Sequence, residues 1–152
     1  MIGHRIPAAV MVVAALVFAS PLRAGSCTLG MVGSVAFGSY DVLAAAPVDS
    51  TGAITYSCST PVSGPSISLG GGGSGFAPRE LTSASHTLSY NLFLDAARTT
   101  VWGDGTAGTS LYDAPPPADG TNETITVYGR IPARQDVPRG AYSDSIVVTI
   151  LF

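Results

Sequence analysis

Residues 88–94 read Leu-Ser-Tyr-Asn-Leu-Phe-Leu, and their alternation decides how the rest of the chain is read. Leu88, Tyr90, Leu92 and Leu94 fall on one side of an extended segment, with Ser89, Asn91 and Phe93 on the other, since strand side chains alternate with period two. The same pattern recurs outward in both directions. Toward the C-terminus, Ile125, Val127, Gly129 and Ile131 alternate with Thr124, Thr126, Tyr128 and Arg130. Toward the N-terminus, Ile54, Tyr56 and Cys58 share a face opposite Ala53, Thr55 and Ser57, which places Cys58 in the core. Ile67 and Leu69 make a short strand stopped by Gly70 to Gly73, and an early strand is expected around Val35 and Phe37. Helical periodicity is nearly absent. Turn residues recur at intervals of about ten, as in Gly103-Asp104-Gly105-Thr106 and the run Pro115 to Gly120, and this is the spacing of a β-sandwich or barrel.

The last segment, Tyr142 to Phe152, departs from the two-faced pattern. Ile146, Val148, Ile150 and Phe152 are apolar on one face, while Val147 and Leu151 make the other face apolar too. So apolar a strand belongs in the middle of a sheet, paired on both sides, yet the sequence offers no later segment to pair with it. The expectation is an open groove along Ile146, Val148, Ile150 and Phe152, filled from outside the chain.

Residues 1–24 read as a secretory signal: a basic start at His4 and Arg5, an apolar run from Ala8 to Ala19, then Pro21-Leu22-Arg23-Ala24 with a small residue at the expected cleavage point. The apolar run is shorter than the roughly 20 residues that cross a bilayer as a helix, and no later run is longer. The expected mature product is exported, without membrane insertion, and 25–152 is a single domain. It carries five arginines, Arg79, Arg98, Arg130, Arg134 and Arg139, against ten acids, hence five net negative charges, and no lysine. Nucleic acid and anionic membranes, both held by clustered cations, are poor partners for that balance.

Cys27 and Cys58 form an even pair in an exported chain, so a disulfide is expected, stabilising the fold by roughly 3 to 4 kcal/mol through loop closure. With His86 as the only histidine after the signal, two cysteines cannot assemble a zinc site, and no metal or other cofactor is expected. Two stretches, Gly70–Gly75 and Gly103–Gly108, fit the spacing of a dinucleotide-binding loop, but neither opens a helix within a βαβ unit. A lysine-dependent phosphate loop is excluded by the absence of lysine. A hydrolase would need His86 as base for a serine, yet His86 lies in the polar run Thr82 to Thr87, expected as a solvated loop, and no nucleophile-elbow motif occurs. Asp95 and Asp104 are expected to flank turns rather than to cleave a glycoside. Asn122-Glu123-Thr124 fits a glycosylation sequon. No catalytic residue is assigned.

Several stretches together resemble the spore coat protein U domain. They are Phe37-Gly38-Ser39-Tyr40-Asp41, Ser50 to Cys58, Leu88 to Asp95 followed by Ala96-Ala97-Arg98, Val101 to Gly105, Tyr128 to Pro132, and Gly140 to Asp144 leading into Val147 to Phe152. That family includes subunits of archaic chaperone/usher pili. The resemblance implies an all-β fold, an incomplete immunoglobulin-like β-sandwich lacking its last strand and completed by a donor strand, a form of β-strand addition. The partners it implies are a periplasmic pilus chaperone, an outer-membrane usher and neighbouring pilus subunits, with passage through the periplasm to the cell surface. Polymerising members carry an alternating apolar donor segment before the first cysteine, whereas cleavage after Ala24 leaves only Gly25 and Ser26 there. The expected place is therefore a tip or cap of a surface fibre, structural or adhesive. The alternative is a self-contained coat or secreted binding module, in which Gly25 to Val35 folds back over the groove.

Overall fold

The computed structural model describes residues 25–59, 64–115 and 119–152, so the expected signal 1–24 and residues 116–118 of the proline-rich loop lie outside the described residues. The described residues form eight strands: β1 (Cys27–Val32), β2 (Val48–Cys58), β3 (Ser66–Leu69), β4 (Arg79–Ser83), β5 (His86–Phe93), β6 (Tyr112–Asp113), β7 (Glu123–Ile131) and β8 (Val148–Leu151). No helix occurs among the described residues. One sheet runs β1-β2-β7-β5-β4 and the other β6-β3-β8, with every ladder antiparallel.

The three long strands follow the alternation directly. Ile54, Tyr56 and Cys58 of β2, Leu88, Tyr90 and Leu92 of β5, and Ile125, Val127 and Ile131 of β7 are buried, and they meet Ile67 and Leu69 of β3 across the sandwich. Register fixes the outer face as well. Asp49 sits opposite Arg130, which donates to both of its carboxylate oxygens at 2.7 and 2.8 Å, and Arg98 adds a third contact at 3.2 Å. The Arg130 hydrogen bonds hold the Asp49 carboxyl below its ordinary range, against a smaller opposing effect of burial. Trp102 is fully buried with Nε1–H donated to the Ile67 carbonyl at 2.9 Å, so its one polar atom is satisfied in the core.

Four expectations need correction. Residues 33–40 form no strand; the N-terminal strand is the earlier Cys27–Val32, paired to β2. Val35 and Phe37 are apolar for another reason. They lie over the inner face of the large sheet, where a Cβ on Gly129 would meet Val35 Cγ1 at 2.6 Å and Phe37 Cζ at 2.7 Å. Glycine at that position makes room for the crossing segment, and Ser50 Oγ donates to the Ala36 carbonyl at 2.6 Å to fix it. The second correction is β4, which carries Arg79 and Glu80 and did not read as a strand. The third follows from it. Thr82 to Thr87 is no open loop but a hairpin closed at Ala84-Ser85, with Ser83 opposite His86 and Ala84 at φ 51°. His86 begins β5 and is exposed. The fourth concerns the extent of the C-terminal strand, which spans Val148–Leu151 and not the whole of Tyr142 to Phe152; β8 is an edge, with β3 as its one strand partner among the described residues.

Candidate functional site

The two sheets leave a seam where their edge strands β1 and β8 approach one another without a ladder. Along the C-terminal segment, the backbone hydrogen bonds among the described residues reach one side only. Ser143 exchanges two backbone bonds with Thr82 of β4 (2.8 and 3.1 Å), and the Val147 carbonyl accepts from Gly70 N at 2.8 Å before β8 continues along β3. In an antiparallel ladder, alternate residues turn their N–H and C=O to opposite edges. The groups of Ile146, Val148 and Ile150 therefore point to the edge that β3 does not occupy.

Side chains alternate in step with those groups. Tyr142, Asp144, Ile146, Val148 and Ile150 are half-buried, whereas Val147 and Leu151 are 71% and 56% exposed. A cavity of about 260 Å³ opens at the seam. Val32, Val35 and Phe37 form one bank, Ile146 and Val148 the other, and Ile54, Leu92 and Val127 lie beneath. A larger space of about 950 Å³ continues it between residues 34–42 and 137–144. This is a cleft that reaches core residues of both sheets.

Three of the four residues read from the sequence as groove residues share this face. Ile146 and Val148 line the cavity and Ile150 packs on the core beside them. Phe152 lies beyond the end of β8, is 63% exposed and does not line either space. Cys27 and Cys58 are disulfide-bonded as the first rung of the β1–β2 ladder, with 4.1 Å between their Cα atoms, so the bond fastens one bank of the seam to the large sheet.

Two polar features, one buried in the core and one at the cleft wall, were not read from the sequence. Arg79 is completely buried, and its guanidinium donates to the carbonyls of Leu69, Gly70 and Trp102 and to Asn91 Oδ1 at 2.7 to 3.3 Å. Burial lowers its pKa, yet each donor arm is committed: Nε and Nη2 to backbone carbonyls that join the two sheets and Nη1 to the Asn91 side chain. The second feature is a pair at the cleft wall: Tyr90 Oη donates to Asp144 Oδ2 at 2.8 Å, and Asp144 Oδ1 accepts from Ser145 N at 2.8 Å. Burial raises the Tyr90 pKa well above its ordinary value, and the hydrogen bond to Asp144 adds to that. Gly72, at φ +65°, passes so close to the Asp144 carboxylate that a side chain there would collide with it. An isolated arginine after a proline gives no signal of burial; the sequence clue was its position two residues before Leu81 on what proves to be one strand face.

The other motifs occupy turns. Asp104 accepts from Thr106 N and Oγ1 at 2.9 and 2.6 Å, and Asp95 accepts from Thr99 and Thr100 at 2.8 to 3.1 Å. Both carboxyls are held below their ordinary range, Asp104 chiefly by the Thr106 side chain and Asp95 chiefly by backbone N–H groups of Thr100 and Thr99. Among the described residues, no group of three or more His, Cys, Asp or Glu is placed to hold a metal ion.

Comparison with known proteins gives three findings. The family model of the Spore Coat Protein U domain matches residues 13–149. Protein U of Myxococcus xanthus is 37% identical over 145 residues, covering 84% of this chain and 78% of that protein. Among solved structures, a chain from the CsuC–CsuE chaperone–tip adhesion subunit pre-assembly complex of the archaic chaperone-usher Csu pili of Acinetobacter baumannii is similar, with a TM-score of 0.59 and 22% identity. The match covers 85% of this chain and 40% of that one, and it shows a shared fold, an immunoglobulin-like sandwich.

Proposed function

The chain belongs to the Spore Coat Protein U domain family, and on that premise we propose that it is a structural or adhesive subunit of a surface fibre, assembled by strand donation at the β1–β8 seam. A periplasmic pilus chaperone supplies the strand first and a neighbouring subunit replaces it at an outer-membrane usher. No step of this requires catalysis. A tip or cap position goes with the expected cleavage after Ala24, which leaves Gly25 and Ser26 ahead of Cys27.

The observation that carries the reading is the edge of β8. Its free side has no strand partner among the described residues and lies beside an apolar cleft lined by Ile146 and Val148, and an edge of this kind is a template for another strand. Co-expression with a periplasmic pilus chaperone tests it. The expected result is a soluble complex recovered from the periplasm, with the chain poorly recovered when expressed alone. Equal recovery of a stable monomer without the chaperone would contradict the proposal.

One observation favours the alternative of a self-contained coat or binding module. Residues 33–37 already cross the inner face, with Val35 and Phe37 seated over Gly129 and the Phe37 ring 6.0 Å from that of Tyr90. They form a bank of the cleft without closing it, since the cavity between them and Val148 remains.

A further inference from the structure

The cleft is not uniformly apolar. Among the described residues Asp144 is the only charged one lining the smaller cavity; it also lines the larger one, with Asp41 and Arg139, and it shares its face with Ile146, Val148 and Ile150 at intervals of two residues. Tyr90 Oη and Ser145 N each use one acceptor position of its carboxylate. An ionised carboxylate has about four such positions, so about two remain. No ion pair to Asp144 occurs among the described residues, because the nearby Arg79 is committed to backbone carbonyls and Asn91.

We infer that the segment received at this seam is not apolar throughout: it carries three successive inward apolar residues and then, at the inward position facing Asp144, a lysine or arginine. The inference rests on the strand-acceptor reading and deepens it by naming the chemistry of the donor. A strand laid along the free edge of 144–150 repeats every two residues, so its inward side chains fall in turn beside Ile150, Val148, Ile146 and Asp144. A leucine at the fourth place strips water from the carboxylate and returns nothing, whereas a cation forms a charge-assisted hydrogen bond. Asp144 thereby sets register and rejects strands that are only greasy, since a slip of two residues puts the cation against Ile146.

The test uses the full exported chain and synthetic peptides with threonine at outward positions and leucine at four inward ones, in which one lysine is walked through the four. Binding is followed by fluorescence anisotropy. Lysine at one terminal inward position should bind about tenfold tighter than leucine there, and lysine at either middle position should bind more weakly than leucine. Norleucine at the preferred position should lose the gain, which tests the charge without altering the protein. The Asp144→Asn chain, checked for unchanged near-ultraviolet circular dichroism, should lose the preference while still binding the all-leucine peptide. If lysine gives no gain at either end, or the gain survives norleucine or Asp144→Asn, the inference falls while the strand-acceptor reading stands. If no peptide binds, the all-leucine one included, that reading falls and this inference with it.

Discussion

At the scale of single residues, Arg79 is the side chain on which the two sheets most depend. It bridges carbonyls at Leu69, Gly70 and Trp102 from a strand of the opposite sheet. Shortening it leaves those acceptors buried and unpaired, at about 1 to 3 kcal/mol for each one that water cannot reach. Arg79→Ala should therefore cost about 3 kcal/mol or more, read as a lower urea midpoint with little change in slope. Arg79→Lys should recover only part of it, since one ammonium cannot reproduce the fork. A near-neutral Arg79→Ala would show that the carbonyls find other partners. Acid stability also belongs at this scale. The carboxyls of Asp49, Asp95 and Asp104 are depressed in the folded chain, so they stabilise it above their unfolded values and that contribution is lost as pH falls through the folded ones. Stability should hold from neutrality to about pH 5 and decline below about pH 4. Asp49→Asn should flatten the decline, which a set of urea midpoints across pH would reveal. Sequence reading went far for some residues and failed for others. Cys58 was placed in the core by its shared face with Ile54 and Tyr56, while Arg79 and Asp144 escaped because burial of a charge depends on partners distant in sequence.

At the scale of elements, the strands that could be read are those whose two faces differ. β2, β5 and β7 each pack one face on the core and turn the other to water, and their alternation states this outright. β4 was missed because its inward positions are Arg79 and Leu81, so half its signal is a charge. The segment around Val35 was misread because burial over glycines, without a ladder, leaves the same apolar spacing as a strand. That crossing segment gives a direct prediction. Gly129→Ala puts a methyl within 2.6 to 2.7 Å of Val35 and Phe37. Overpacking of this kind costs typically 1 to 3 kcal/mol. The substitution should lower the thermal midpoint and increase hydrogen exchange across residues 33–40 before the β2–β7 ladder responds. Protection unchanged in 33–40 would mean that the segment is held elsewhere. The disulfide secures the other end of the same bank, and Cys58→Ser should cost about 2 to 5 kcal/mol and reduce periplasmic yield.

At the scale of the whole molecule, strand spacing implies a sandwich or barrel and family resemblance the immunoglobulin-like sandwich, whereas the position of the last strand is visible only in the folded chain. An apolar run with both faces greasy is compatible with a central strand or with an edge strand, and alternation alone does not separate these because it carries no record of what lies beside the strand. The most direct measurement is thermal unfolding of the exported chain, bare and with an alternating apolar donor segment fused after Phe152 through a flexible glycine-serine linker, at several concentrations. Each Val- or Leu-sized side chain newly buried against Ile146, Val148 or Ile150 contributes about 1.5 to 3 kcal/mol before the ordering cost of the segment is subtracted. The midpoint should therefore rise by on the order of 10 °C, independently of concentration, and the rise should vanish when the donor's inward residues are aspartates. A bare chain that is monomeric, soluble and as stable as the fusion would contradict the account.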